Sequence, residues 1–455
     1  MDYAALEREN AQLRREVAEL KQRVEHLLKL LDEARRGGKR QAAPFSRGVP
    51  RPEPARPGRK PGEQYGSPAR RAIPEAVDTV LEAELPCCCP GCGGDLEETG
   101  VDSQYQTELP EPRVERIEFR IHAGQCRRCG QRVRGRHPRQ SSDAAGAAAS
   151  QLGPRAVALA TQLNKGFGLS HGKTAGVLET AFGLKVSRGG LSQAFARLAR
   201  KAEPAYEKLV EQVRGAPSVT PDETGWKVGG KLCWMWAFST AQATVYSILP
   251  GRGFEQAASV LGADFDGFLV RDGWAPYRRF TGAIHQTCLA HLLRRANELI
   301  EASPAGRAGL AREVKDILQS ALELRDRRDR DGIGARGLAV VRGKLEARMD
   351  RALRGECSSP EERRLIGHLL RERDALFPFL DCPGLEATNF RAEQAIRPMV
   401  VARKVWGGNR TEKGARTHSV LGSILRTCNQ QMRPAAELLQ QIICLPKPLA
   451  LNLTG

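Results

Sequence analysis

Apolar residues recur at alternating spacings of three and four along the first 34 residues. Tyr3, Leu6, Asn10, Leu13, Val17, Leu20, Val24, Leu27 and Leu31 form one helical seam. In heptad register Leu takes the d positions, while Val and one Asn fall at a. This is the pattern of a parallel two-stranded coiled coil whose register a lone Asn fixes. Residues 1–34 are therefore read as a homodimerisation helix, the alternative being an amphipathic helix packed on its own domain. Over 150–215 the apolar spacing is again helical. "SHGKTAGVLETAFGLKVSRGGLSQAFARLARK" divides into two helices at "FGLKVS", with Ser187 placed to cap the second. That pair suits a DNA-reading helix-turn-helix and equally an ordinary helical pair.

The period changes from 3.6 to 2 at Ala216. "SVTPDETGWKV", "KLCWMWAFS" and "ATVYSIL" read as three successive strands, with a glycine hairpin at "VGGK". A helix in "GRGFEQAASVLG", a buried strand in "DGFLVRDG" and a helix in "CLAHLLRRANELI" follow. Strands leading into alternating helix, strand and helix describe an α/β layer over 216–445. Residues from about 301 to 380 read as a helical insertion whose run "RDRRDRDG" is mostly a solvated face. Residues 446–455 are a tail.

Composition adds a partner. The 455 residues carry 71 Lys and Arg against 53 Asp and Glu, a net charge of +18. Such an excess favours a polyanion, because each neutralised phosphate releases a condensed counterion. Residues 35–72 concentrate it: eleven basic residues face only Glu53 and Glu63, and seven prolines prevent a packed core. This is either a solubilising linker or a flexible DNA-backbone arm. No apolar run is long enough to span a membrane, and the start "MDYAALEREN" lacks a signal-peptide pattern. A cytoplasmic, nucleoid-associated protein without a membrane partner is expected.

Over 73–140 the chemistry is that of cysteine. Cys89 with Cys92, and Cys126 with Cys129, form two CxxC knuckles, each followed by Gly. Two such pairs are the four-thiolate set of a structural zinc ribbon, with "RVERIEFRIH" as strand between them. Cys87 or Cys88 could replace Cys89 as a ligand. The metal here is architectural, since so small a ribbon folds only around it.

Three carboxylates stand out from the rest. Asp222 lies in the first strand of the α/β layer, and Asp272 just past the end of the fourth. Glu393 lies in a short helix opened by Thr388 or Asn389 and stopped by Pro398. Converging bare, they would repel and raise one another's pKa values. Mg²⁺ or Mn²⁺ would relieve that and suit phosphodiester chemistry. Taken singly, each acid reads as a cap or ion-pair partner, with Glu223 simply exposed.

"PDETGWKVGGKLCWMWAFST", "VRDGWAPY", "CLAHLLRR" and "NFRAEQAIRPMVVARKVWGGNR" resemble the landmark segments of Insertion Sequence 66 family transposases. The resemblance extends to the heptad helix, the "GRKPG" segment and the CxxC domain. It implies a ribonuclease-H-like core carrying a DDE triad at Asp222, Asp272 and Glu393. Cys288 and His291 match a CxxH element of that family, His291 either touching the scissile strand or packing its helix. The implied activity is metal-dependent cleavage of double-stranded DNA at transposon ends and strand transfer into a target, with companion proteins of the same element. Arg391, Arg397, Arg403, Lys404 and Arg410 around Glu393 are the expected phosphate contacts. Trp406 with Gly407 and Gly408 either allows close approach of a backbone or base, or belongs to the core. Two other readings remain open: a non-catalytic zinc-ribbon DNA-binding protein, and a structure-selective nuclease.

Overall fold

The computed structural model describes residues 73–143 except 110 and 113, then 151–303, 308–355, 357 and 359–448, with scattered positions between 12 and 27. The scattered positions are helical, and Leu13, Val17, Leu20, Val24 and Leu27 among them are exposed. The basic arm expected at 35–72 lies outside the described residues. So does most of the expected tail.

The chain divides into two units, residues 45–113 and the remainder. In the smaller unit, Gly93 N donates to Cys89 O at 2.8 Å and Cys89 N to Gly94 O at 2.9 Å. The larger unit repeats this turn: Gly130 N donates to Cys126 O at 2.9 Å and Cys126 N to Gln131 O at 2.8 Å. Both turns close on a left-handed glycine, Gly93 at φ +74° and Gly130 at φ +70°, which explains the Gly after each pair. β1 (Ala123–Gln125) and β2 (Arg132–Arg134) form an antiparallel hairpin around the second knuckle. Residues 114–122 carry no strand pairing, contrary to the alternation in "RVERIEFRIH". Their side chains are mostly exposed on both alternating sets, so no buried face holds them in a ladder.

Helices α1 (Pro154–Thr161), α2 (His171–Phe182) and α3 (Arg188–Arg214) follow. The Ser187 hydroxyl accepts from Gly190 N at 3.0 Å, the expected cap. Leu191, Phe195, Leu198, Leu209 and Val213 of α3 pack in one core with Val219, Trp236, Phe238 and Val245 of the following sheet. Residues 150–215 therefore share their core with the α/β layer.

That sheet has five strands. β3 (Ser218–Val228), β4 (Lys231–Ser239) and β5 (Thr244–Leu249) are antiparallel, and α4 (Phe254–Leu261) leads to β6 (Phe268–Arg271) and β7 (Ile284–Thr287). The order is β5-β4-β3-β6-β7, with β6 parallel to both β3 and β7. Alternation decides the two faces. Trp236 and Phe238 enter the α3 core, while Met235 and Ala237 face Trp226 and a later helix. β6 splits likewise: Leu269 joins the first core and Val270 the core of the helical insertion. β7 was not anticipated, because "IHQT" has neither the length nor the apolar pattern of a strand.

α5 (Leu289–Ala302) opens the helical region, and α6 (Gly309–Asp331), α7 (Ala335–Leu353), α8 (Pro360–Arg371) and the short α9 (Pro378–Asp381) form the expected insertion. α10 (Phe390–Trp406), α11 (Glu412–Gln430) and α12 (Ala435–Cys444) complete the unit. Pro398 does not stop α10, which continues to Trp406. A proline removes one hydrogen bond and crowds the carbonyl one turn back, but the buried Ala395, Ile396, Met399 and Ala402 on both sides hold the helix together.

β5 would expose an unpaired edge, and α11 covers it. Thr244, Tyr246 and Ile248 donate their N–H groups to the hydroxyls of Thr427, Ser423 and Ser419 at 3.1, 2.8 and 3.2 Å. Two strand residues advance about 6.7 Å and four helical residues about 6 Å, so the hydroxyls keep step with the strand. Among the described residues no helix is long and apolar enough to cross a membrane.

Candidate active site

Val219 of β3 pairs in parallel with Leu269 of β6. Asp222 and Asp272 each lie three residues beyond that pair, so they stand side by side as the strands part. One oxygen of each is fixed locally: Asp222 Oδ1 accepts from Glu223 N at 2.9 Å, and Asp272 Oδ1 from Trp274 N at 2.9 Å. Asp272 thus also caps the turn that follows it. The Asp222 carboxyl is pushed up to about 8 by burial first, then by the charges of Glu223, Asp272 and Glu393. Asp222 therefore feels both of the other expected acids.

Glu393 stands in the first turn of α10, with its Oε1 3.8 Å from His291 Nε2 on α5. Two contacts lock these helix starts together. Cys288 Sγ donates to Asn389 Oδ1 at 3.0 Å, and Asn389 N donates to the same sulfur at 3.2 Å. Leu289 N donates to Ala387 O at 3.0 Å. Cys288 is buried, so its role is to seat α10 on α5. Of the expected His291, Nδ1 is buried without a hydrogen-bond partner among the described residues.

Glu223 is not exposed. Its side chain is 2% accessible, Arg252 Nε lies 2.6 Å away, and the Tyr277 hydroxyl donates to it. Arg252 is itself held between the rings of Trp234 and Trp274, at 4.8 and 3.9 Å from their centroids. Burial raises the Glu223 pKa, while Tyr277 and Arg252 hold it down. A second buried acid lies behind Asp272. Arg271, 2% exposed, meets Glu372 Oε2 at 2.7 Å and donates to Asp272 O at 3.1 Å. Arg278 also reaches Glu372, at 2.5 Å. Glu372 follows α8, so this bridge ties the insertion to β6, the strand that leads to Asp272. Neither role was read from the sequence, since the partners of Glu223 lie 29 and 54 residues away and Arg271 lies about 100 residues from Glu372, which leaves no local pattern.

The basic residues of α10 divide into two sets. Arg397 and Lys404 follow Glu393 by four and eleven residues, sharing its face of the helix, and both are exposed, as is Arg410 in the loop beyond. Arg403 is 7% exposed and turned inward, its Nη1 donating to Thr224 Oγ1 at 2.9 Å and to Gly225 O. That occupies the guanidinium expected to meet phosphate. Arg391 pairs with Glu386 at 3.0 Å. Trp406 belongs with the core, edge-on to Trp226 at 5.5 Å and donating to Gly168 O at 3.1 Å. The backbone approaching Gly408 is the chain's own, since Asn409 N donates to Lys227 O at 2.8 Å and joins the loop to β3.

Among the described residues, no three His, Cys, Asp or Glu side chains close tightly enough to ring a metal ion. The donor chemistry nonetheless fits a hard divalent cation, being carboxylate-only, mutually repelling and beside basic side chains. In each knuckle backbone N–H groups aim at one thiol: those of Gly91 and Cys92 lower the Cys89 pKa, and those of Cys129 and Arg128 that of Cys126. Such thiols are readily deprotonated for a metal.

Two curated relatives were matched in Sinorhizobium fredii, both described as uncharacterized proteins. One, y4qI, is 24% identical over 282 residues, covering 54% of this chain and 51% of the relative. The other, y4jD, is 25% identical over 276 residues, covering 54% of this chain and 53% of the relative. The chain thus spans about half the length of the curated relatives it matches. The sequence signature described as "Transposase IS66 family" matches residues 149–417, more than half the chain and all three acids. The chain belongs to the IS66 family of transposases.

Proposed function

We propose that this protein is a DNA transposase that cleaves phosphodiesters at transposon ends and joins the freed 3′-hydroxyl to target DNA. The observation that carries the reading is the placement of Asp222 on β3 and of Asp272 just past the adjacent parallel β6, with the charges of Asp272 and of Glu393 on α10 both reaching Asp222. The sheet order, three antiparallel strands with the first at the centre and two parallel strands beside it, supports the ribonuclease-H-like reading. Asp222, Asp272 and Glu393 would hold Mg²⁺ or Mn²⁺, which when bound polarises the phosphoryl group and lowers the pKa of an attacking oxygen. The side chains of the protein position the strand. Arg397 and Lys404 line the α10 face that carries Glu393, and Arg410 extends it, so backbone phosphates meet positive charge where the acids would otherwise repel them. His291, beside Glu393, is placed to donate a hydrogen bond to a phosphate oxygen. Glu223 and Glu372 hold the strands that carry the aspartates.

The remaining parts follow from the same reading. The N-terminal seam pairs two subunits, the knuckles hold zinc, and the basic arm and the helices before the sheet hold DNA ends. Companion proteins of the same element complete the machinery. A nicking assay on duplexes from the borders of this gene's element tests the reading. Strand breakage that leaves a 3′-hydroxyl, requires Mg²⁺ or Mn²⁺ and disappears in Glu393→Gln is expected. A wild-type chain that binds these duplexes and breaks none, even with the companion proteins added, would reduce it to a DNA-binding protein.

A further inference from the structure

Where α8 of the insertion faces α5, a cleft of about 500 Å³ opens, lined by Arg295, Pro360, Arg363, Arg364, Gly367 and Arg371. Some arginines elsewhere in the insertion are paired: Arg342 with Asp381, Arg348 with Glu313 and Arg373 with Asp350. None of the four cleft arginines makes an ion pair or side-chain hydrogen bond with the described residues. Four arginines without a counter-charge around one space repel one another, and an anion there would relieve that repulsion. The field reaches the neighbouring His368, whose pKa is lowered by burial first and then by Arg295.

Gly367 makes the second point. It sits in the middle of α8, where glycine costs about 1 kcal/mol relative to alanine, and continues the i, i+4 stripe of Arg363 and Arg371. A Cβ there would meet only Arg371 Nη1, at 3.7 Å, so no packing demands the glycine. Its absent side chain is the floor of the cleft.

The cleft is tied to the catalytic carboxylates from two sides. Arg295 lies four residues after His291, on the same face of α5 and about 6 Å further along its axis. His291 is the neighbour of Glu393. From α8, His368 covers Gly273 so closely that a Cβ there would come within 2.6 Å of its ring, and Gly273 follows Asp272 directly.

We propose that this arginine cleft binds backbone phosphates of the DNA strand near the scissile phosphodiester, making the insertion part of the DNA interface. The inference rests on the DNA reading above and assigns it a second contact surface, separate from α10. Arginine suits the ligand because its planar fork pairs two phosphate oxygens at once. A nucleotide base would find no ring to stack on, since the lining residues include no aromatic side chain.

The test uses the full chain and border duplexes, with affinity measured as a function of salt. In Arg363→Ala/Arg364→Ala the slope of log K against log salt should fall by about 2, at about 0.9 per lost phosphate contact, and affinity at least tenfold. Gly367→Glu should weaken binding comparably without removing an arginine, while Gly367→Ala leaves it unchanged. Unaltered slope and affinity in both the double variant and Gly367→Glu would overturn the proposal while wild-type binding and cleavage still stood. A wild-type chain that bound no DNA would instead overturn the DNA reading, and this proposal with it. Inorganic phosphate is titrated in parallel. If the variants lost phosphate binding and kept DNA affinity, the cleft would serve a soluble anion, and the proposal would fail.

Discussion

Replacing Glu372 by glutamine removes the carboxylate that pairs with both Arg271 and Arg278. Glu372 is fully buried, Arg271 is 2% exposed, and only Arg278 reaches solvent. The substitution keeps the shape but leaves a desolvated guanidinium without its ion-pair partner and with a like charge beside it. Removing one partner of such a pair costs about 3–5 kcal/mol, whereas removing both partners in favour of apolar groups is close to neutral. Urea denaturation should therefore find Glu372→Gln about 3–5 kcal/mol less stable, and Arg271→Met/Glu372→Leu far less affected than the sum of its single variants. DNA nicking should also fall in Glu372→Gln, because Arg271 holds the carbonyl of Asp272. A loss below about 1 kcal/mol in Glu372→Gln, or strictly additive variants, would refute the reasoning, since a buried pair must couple.

Other expectations follow from the same coordinates. Lys165 is 5% exposed, with burial lowering its pKa from the ordinary 10.5 to about 8, and its ammonium lies 5.5 Å from the Trp406 ring centroid. The buried charge costs about 3 kcal/mol and the ring returns about 1, so Lys165→Met should gain about 2 kcal/mol at pH 7. Between pH 8 and 10.5 the unfolded chain holds a proton that the fold has released, so wild-type stability should rise with pH and the advantage of the variant vanish; denaturation midpoints across that range check it. A Cβ on Gly408 would lie 2.3 Å from Lys227 O, whereas one on Gly407 meets nothing. Thermal melting should show Gly408→Ala losing about 3 kcal/mol or more and Gly407→Ala only the left-handed penalty of about 1–2 kcal/mol. Metal analysis should find about one zinc per chain, lost when either cysteine pair is replaced by serine.

What could be read from the sequence was local in character. The alternation of β3, β4 and β5, the cap at Ser187 and the hairpin glycines are signals within a few residues, and each appears where expected. The two aspartates were placed correctly because their positions follow from where the strands lie. What escaped the sequence was set by distant partners. Glu223 looked exposed because Arg252 and Tyr277, which bury it, come from other elements. Arg403 looked like a phosphate contact because nothing local says that β3 receives it. Pro398 signalled a helix end, but buried neighbours on both sides carried α10 through. Cys288 and Asn389, 101 residues apart, seat Glu393 by a contact that no periodicity encodes.

Asp222, Asp272 and Glu393 are proposed to act as one metal-dependent site in strand transfer. The most direct measurement is joining of a pre-cleaved border end, carrying a free 3′-hydroxyl, to a target plasmid in Mg²⁺ or Mn²⁺. The wild type is compared with Asp222→Ala, Asp272→Ala and Glu393→Ala, and DNA affinity is measured alongside. Metal-dependent joining by the wild type, lost in all three variants with affinity retained, is the predicted result. Joining that survived any one of these substitutions would contradict the account.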